Sequence, residues 1–229
     1  RPEDDYIMIF VSHQNGIESN LIVGGINALI LEDSEEYTFL VEALWNQIHR
    51  IEEKLLLYEK ELLDMSKRCD IIFSPKDLSF QNSKISKKLF TYLAEQIQTG
   101  ELNDKIIKNQ AELLQLMDEV KNISEYPICI DEEYSISDIL KNVGIKLAEP
   151  GGSFCEKLID YAKINYDFLK IDILFLVGCK AYLKESDYYH LEKWAEYQQI
   201  TIVFIENDDS RLPSGINKYI IDKDKCVIH

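Results

Sequence analysis

IDILFLVGCKAYLKESDYYHLEKWAEYQQITIVFIEN, residues 171 to 207, is the stretch that decides the fold. It opens with a near-continuous apolar run to Val177, which is typical of a strand covered on both faces. A helical apolar stripe follows on a polar background from Ser186 to Gln198, and Ser186 is placed to cap its first turn. A second buried strand is expected from Ile200 to Ile205. The sequence therefore predicts a βαβ unit with two parallel strands.

More strands and a helix are predicted on the N-terminal side of this unit. The helix begins at Asp33 or Ser34 and extends at least to Arg50, because its apolar residues recur at steps of three and four. The run KLLLYEK after it fits either a continued helix or a strand. Strand patterns occur at residues 6–11, 21–23, 26–31 and 69–73, and near the C-terminus at 218–221 and 226–228.

The sequence pattern changes between residues 82 and 124, which are predicted to form two amphipathic helices separated by a turn at Thr99 and Gly100. A helical hairpin of this kind is an insertion into a sheet domain. A capping box at Ser135 with Asp138, a strand at residues 145–147 and a helix at 154–169 then return the chain to the central unit. The predicted fold class is α/β: a head domain (1–80 and 128–229) with a mainly parallel sheet flanked by helices, and an inserted all-α leg, a helical hairpin, at 81–127.

Composition restricts the classes of function. The 229 residues carry a net charge of −16, so the protein repels polyanions unless local lysines or a bound cation reverse the sign. The five cysteines are scattered without a CxxC pair, which indicates buried thiols in a reducing cytoplasm. No apolar stretch approaches the ~20 residues of a membrane span, so we expect a cytoplasmic protein without membrane contact.

Motifs for nucleotide or nucleophile chemistry are missing from the sequence. There is no GxxxxGK[ST], no strand-to-helix GxGxxG, no GxSxG and no HExxH. Where a phosphate loop would precede the first helix, residues 31–36 read LEDSEE, which repels phosphate. An ordinary NTPase or hydrolase site is therefore not expected.

Two groups of acidic residues are candidate metal ligands. The first follows the helical insertion, and its oxygen ligands suit a hard cation such as calcium; its members are Glu125, Asp131, Glu132 and Glu133. The second, Glu206, Asp208 and Asp209, follows a predicted strand, a common ligand position in α/β sheets. A solvated acidic turn is the alternative for both groups.

Basic residues are few but locally concentrated at Lys76, Lys84, Lys87 and Lys88. The last three share one helical face by their three-and-four spacing. Such a face can track phosphates without reading bases, although a solvated helix surface is the alternative. Symmetric oligomerisation would join the patches of several copies into a ring.

Four segments occur in an order and at spacings that resemble the Csn family, the accessory spacer-acquisition (adaptation) proteins of type II-A CRISPR-Cas systems. They are GGINALILEDSEEYTFLV, NSKISKKLFTYLAEQI, EEYSISDILKNVGIKL and DILFLVGCKAYLKESDYYHLEKWAEYQQITIVFIE. The resemblance covers nearly the whole chain beyond about residue 17. In that family the counterpart of KLLLYEK is a strand.

The resemblance implies a ring-shaped homotetramer that binds ends of double-stranded DNA without sequence preference and works with CRISPR integrase proteins and the type II effector nuclease. It also implies calcium near the acidic turn. Just before Asp131, where relatives alternate acids with apolar residues, this chain has Ile128, Cys129 and Ile130, so Glu132 and Glu133 match best. Lys88 matches a basic position of the leg; Lys84 and Lys87 are added from helical spacing.

The sequence thus predicts a non-enzymatic DNA-clamping ring of the CRISPR adaptation apparatus. One alternative is a degenerate P-loop-like, metal-dependent nucleotide hydrolase or nuclease that uses Asp33, Glu132 and Glu206 as ligands. Another is a pure protein-interaction scaffold that does not bind duplex DNA.

Overall fold

A computed structural model of the chain describes residues 7–129 and 135–228. It divides into two compact units, here called the α/β unit (Arg1–Phe80 and Glu149–His229) and the helical unit (Gln81–Ala148). The predicted α/β class with a mainly parallel sheet flanked by helices is confirmed. No helix among the described residues has the length and apolar character needed to cross a bilayer.

The α/β unit is built around a six-stranded sheet. Its strands are β3 (Ile26–Leu31), β5 (Cys69–Ile72), β6 (Ile173–Val177), β7 (Thr201–Glu206), β8 (Asn217–Ile221) and β9 (Val227–Ile228). Their spatial order is β5-β6-β7-β3-β8-β9, and every pair is parallel except β8 with β9. The predicted parallel pairing of β6 with β7 is therefore confirmed, with Ile173 opposite Thr201.

The three central strands are buried along their whole length. Every residue of β3, β6 and β7 is buried, because helices or strands cover both faces of the sheet. One face packs against α1 (Ser34–Ile48) and a second, three-stranded sheet. The other packs against α6 (Phe154–Leu169) and α7 (Glu185–Gln198), whose Leu158 and Leu191 are fully buried. Continuous apolar strands are thus the signature of a sheet covered on both sides.

The second sheet is antiparallel, in the order β2-β1-β4, from β1 (Ile7–Ser12), β2 (Ile17–Ile22) and β4 (Leu55–Tyr58). The ambiguous KLLLYEK run is therefore a strand. A buried amide connects the two sheets: the Asn27 side chain accepts the Ile22 N–H at 2.7 Å, and Asn217 donates to the same Asn27 oxygen at 2.8 Å. A short helix, α2 (Met65–Arg68), precedes β5 and was not predicted.

The helical unit contains α3 (Ser83–Thr99), α4 (Asn103–Ile123) and α5 (Ile136–Val143). α5 starts with the predicted capping box, since the Asp138 N–H bonds the Ser135 hydroxyl and the Asp138 carboxylate accepts the Ser135 N–H. α5 packs against α3, so this unit runs to Ala148 and the predicted boundary at residue 127 is too early. The apolar face of α5 therefore packs against the inserted helix α3 rather than against the sheet.

Three local predictions were wrong, at residues 145–147, at the start of α7 and at two of the cysteines. The predicted strand at residues 145–147 is not formed, because the described part of its unit contains no strand with which it could pair. Ser186 does not cap α7: the helix starts one residue earlier, and the Asp187 carboxylate accepts the Lys184 N–H at 2.8 Å. The thiols of Cys129 and Cys226 are exposed, whereas the other three cysteines are buried as expected.

A partly buried ionic cluster lies at the carboxyl end of β7. Glu206 is 2% exposed as a residue, and its carboxylate accepts the Lys180 N–H at 3.0 Å. The Lys180 ammonium, itself buried, donates to the carbonyl and the carboxylate of Asp208 at 2.7 and 2.5 Å. Burial raises the pKa of Glu206 to about 6, and the hydrogen bond from Lys180 lowers that of Asp208 to about 2. Glu206 therefore carries a desolvation cost whenever it is ionised.

Changing Glu206 to glutamine keeps an acceptor for the Lys180 N–H but removes this buried charge. In the folded protein the pKa of Glu206 lies above its ordinary value of 4.5. Protonated Glu206 therefore contributes stability that is fully present below about pH 4.5 and is lost as the pH rises through about 6. We expect the unfolding free energy of E206Q, relative to the unsubstituted protein, to increase by about 2 kcal/mol between about pH 4.5 and about pH 7. Urea denaturation at each pH measures it.

Glu192→Gln is the control, because it removes an exposed carboxylate from α7 of the same unit. A stability difference for E206Q that is the same at every pH would contradict the assigned burial cost.

Candidate nucleic-acid interface

The predicted basic face lies on the N-terminal half of α3. Packing fixes this helix, since Ile85 and Leu89 are buried, and the Asn82 side chain caps it by accepting the Lys84 N–H at 2.8 Å. The opposite side of the same turns is exposed and carries Lys84, Lys87 and Lys88. The structure therefore brings these three predicted residues together.

The three ammonium groups are available to an anion. Within residues 7–129 and 135–228, none of the three lysines forms an ion pair with a carboxylate. Some other cations are paired with carboxylates, as Arg68 is with Asp172 and Lys225 is with Glu36 at 2.6 Å. The α3 face thus concentrates positive charge that no carboxylate of the described residues neutralises.

Lys76 belongs to the other unit. It is exposed in the turn that follows β5, and its neighbour Asp77 is occupied by accepting the Phe73 and Ser74 N–H groups at 2.8 and 2.9 Å. The four predicted DNA-binding lysines are therefore divided between the two units, one in the α/β unit and three in the helical unit.

The candidate calcium ligands fall mostly beyond the described residues. Glu125 is exposed just after α4, while Asp131, Glu132 and Glu133 lie outside the ranges that the structure describes. Among the described side chains, no group of three or more histidines, cysteines, aspartates or glutamates is arranged to hold a metal ion. The calcium site stays a prediction from the sequence.

Asp33 and Glu206, two of the three residues of the alternative hydrolase site, accept hydrogen bonds within the chain. Asp33 caps α1 by accepting the Glu35 and Glu36 N–H groups, each at 3.0 Å, so its carboxylate occupies the helix end where a phosphate would bind. Glu36 is held by Lys225, whose hydrogen bond lowers the pKa of that carboxyl. Glu206 is buried against the Lys180 N–H. Glu132 lies outside the described residues.

Sequence reasoning missed Lys180 as the partner of Asp208. The signal was a lysine directly after the β6 turn and an aspartate two residues after β7, since adjacent parallel strands bring their carboxyl ends together. This position is where ligands bind in many α/β sheets, but here an ion pair within the chain fills it.

Both the sequence and the fold of the chain are similar to those of known proteins. The family described as CRISPR-associated protein (Cas_Csn2) matches residues 47–225. The CRISPR-associated protein Csn2 of Streptococcus agalactiae is 21% identical over 215 residues, which are 93% of this chain and 94% of that protein. The crystal structure of Stu0660 of Streptococcus thermophilus superposes with a TM-score of 0.64 at 13% identity, over 97% of this chain and 76% of that one.

The family match covers far more than half of the chain and both units, and the structural likeness shows a shared fold. The resemblance inferred from four sequence segments is thereby confirmed. The chain belongs to the Csn2 family of CRISPR-associated proteins.

Proposed function

We propose that the protein is a non-enzymatic DNA clamp of CRISPR adaptation. Four copies form a ring that binds ends of double-stranded DNA without sequence preference and supports acquisition of new spacers in the cytoplasm. Its partners are the CRISPR integrase proteins and the type II effector nuclease. The observation that carries the proposal is the exposed lysine face of α3, which pairs with no carboxylate among the described residues, in a member of the Csn2 family.

The charges of the chain are compatible with this function. A net charge of −16 repels DNA at long range, but salt limits that repulsion to about 8 Å at physiological ionic strength. Lysines that approach the phosphates within this distance dominate the local field. Three lysines on one helix contact phosphates rather than base edges, so they give affinity without sequence preference.

A binding protein fits the chain better than the alternative hydrolase. Two of the three metal ligands which that alternative needs, Asp33 and Glu206, already accept backbone N–H groups. The acidic first turn of α1 repels nucleotide phosphates. Both features favour a protein that holds DNA over one that hydrolyses a phosphate ester.

Calcium is part of the proposal, at the acidic segment that includes Glu125, Asp131, Glu132 and Glu133. Carboxylate oxygens are the ligands that calcium prefers, and four of them would carry more negative charge than one ion neutralises. Bound calcium would therefore reduce repulsion within this segment and between it and DNA. The resemblance to the family supports this assignment.

The lysine face is tested by changing Lys84, Lys87 and Lys88 together to glutamine. We expect affinity for linear duplex to fall by about tenfold or more. The slope of log affinity against log salt should flatten by about 0.9 for each phosphate that the variant no longer neutralises. Fluorescence anisotropy over a salt series measures both quantities.

A matched control changes Lys163, Lys193 and Lys223 to glutamine, which removes the same charge from exposed positions of the α/β unit. Equal reductions of affinity in the two triple variants would mean that net charge alone governs binding, and the α3 face would lose its assigned role.

Threading through a ring predicts a dependence on DNA ends. In a gel shift, the protein should bind a linear duplex and leave the same DNA unbound as a closed circle. Opening the circle with a single restriction cut is the control for sequence and length. Equal binding of both forms would argue against threading, and no binding of either at low salt would indicate the scaffold alternative.

Removing calcium tests whether this cation strengthens the binding of DNA. With calcium we expect tighter binding of linear duplex than in a chelator, and Glu132→Gln with Glu133→Gln should abolish that difference. Magnesium at the same concentration is the control, because Mg²⁺ demands smaller, stricter coordination. If chelation leaves affinity and assembly unchanged, the cation has no part in the clamp.

A further inference from the structure

Trp45 is a large aromatic side chain that the α/β unit leaves open to solvent. It lies on α1 and is 42% exposed, although the same helix buries Leu40 and Leu44 completely on its other side. Tryptophan is one of the residues whose burial by a partner contributes most to binding free energy. An exposed tryptophan on a helix that is fixed by core packing is therefore a candidate anchor for a partner.

Two neighbouring rings hold the indole of Trp45 in place. The His49 ring stacks on it, with the ring centroids 3.8 Å apart and an interplanar angle of 26°. The Phe73 ring, directly after β5, lies with its centroid 5.8 Å from the indole and is tilted by 55°. His49 is itself held, since its Nδ1 lies 2.8 Å from the Trp45 carbonyl oxygen. Because the indole is ordered in the free protein, a ligand that stacks on it loses little binding free energy to immobilising this side chain.

A cavity of about 410 Å³ opens beside the indole. We call it the Trp45 pocket, and its lining residues are Val41, Glu42, Trp45, Asn46 and Phe73. His49 is not one of them, so the imidazole supports the indole from outside the pocket. The pocket thus combines apolar and aromatic surface with one carboxylate.

Glu42 gives the pocket its charge. It is exposed and precedes Trp45 by three residues on α1, so the two side chains share one face of the helix. Within residues 7–129 and 135–228, Glu42 forms no ion pair. A carboxylate beside an aromatic ring attracts a cation and repels a phosphate, because both the carboxylate and the face of the ring are negative. The pocket therefore favours a cationic ligand.

A guanidinium group suits both features of the pocket. It is planar, so it can stack on the indole while its edge donates two parallel N–H bonds to the Glu42 carboxylate. A lysine ammonium is compact and more strongly hydrated, and it cannot stack in this way. A nucleobase could also stack on Trp45, but its phosphates would approach Glu42. Arginine is therefore the side chain that the pocket fits best.

We propose that the Trp45 pocket binds an arginine side chain of a basic partner protein. The inference rests on the proposed function and deepens it, because it names a surface by which the DNA clamp holds a protein partner. Proteins that act on DNA carry cationic surfaces for its phosphates, and the net charge of −16 on this chain attracts such surfaces. The pocket then supplies an aromatic and ionic anchor within this long-range attraction.

A short peptide with blocked ends, Gly-Ser-Arg-Ser-Gly, is the probe for the pocket. We expect Trp45→Leu, which keeps an apolar side chain, and Glu42→Gln, which keeps its size, each to weaken binding of the peptide by about three- to tenfold. The peptide with citrulline in place of arginine has nearly the same shape without the charge, and its binding should be weakened at least as much. NMR of the peptide signals detects weak binding and measures all these affinities.

Glu192→Gln is the control variant, because it removes an exposed carboxylate from α7 and leaves the pocket intact. Circular dichroism should show that all three variants are folded. If Glu192→Gln weakens the arginine peptide as much as Glu42→Gln does, general attraction to an anionic surface explains the binding and the pocket is wrong. Equal binding of the citrulline and arginine peptides would also overturn the proposal.

DNA binding by the same variants separates this proposal from the proposed function. We expect Trp45→Leu to leave the affinity for linear duplex unchanged. If it weakens duplex binding and leaves the arginine peptide unaffected, the pocket holds a nucleobase and the proposal is overturned. If the peptide depends on Trp45 and Glu42 but the unsubstituted protein binds no duplex, the pocket is supported and the DNA clamp fails.

Discussion

Burial of parallel strands on both faces is the constraint on which the α/β unit depends. β3, β6 and β7 have no residue open to solvent, so each needs a neighbour on either side and cover above and below. α1 and the small antiparallel sheet supply one cover, and α6 with α7 supply the other. Buried polar groups at the strand ends are bonded within the chain, as Glu206 is to the Lys180 N–H. The carboxyl edge that often binds nucleotides is thereby closed.

The helical unit buries much less of its apolar surface than the central strands do, because its longest helix, α4, has no fully buried residue. α3 and α5 bury their apolar faces on one another, while α4 contacts α3 along one row and exposes a second. The lysines of α3 lie on the side of that helix opposite its buried face. The exposed lysines and the exposed apolar residues of this unit both suit association with something outside the single chain.

Much of this fold could be predicted from local patterns. The periodicity of α6 and the continuous apolar runs of β6 and β7 predicted these elements closely, because burial on one or both faces leaves a regular trace in the sequence. Strand order could not be predicted, since β3 pairs with β7 across about 175 residues of chain, and periodicity does not encode a distant partner. The assignment of α5 to the helical unit failed for the same reason. Among candidate site residues, helical spacing correctly grouped Lys84, Lys87 and Lys88, whereas it contained no signal for the separate position of Lys76.

The central claim is that several copies of an anionic chain hold one duplex by placing their few cations around it. Native mass spectrometry of the protein on a short linear duplex tests this claim most directly, because it counts chains on each DNA molecule. The account predicts complexes of four chains on one duplex, with no sequence dependence. A stable complex of a single chain with the duplex would contradict it.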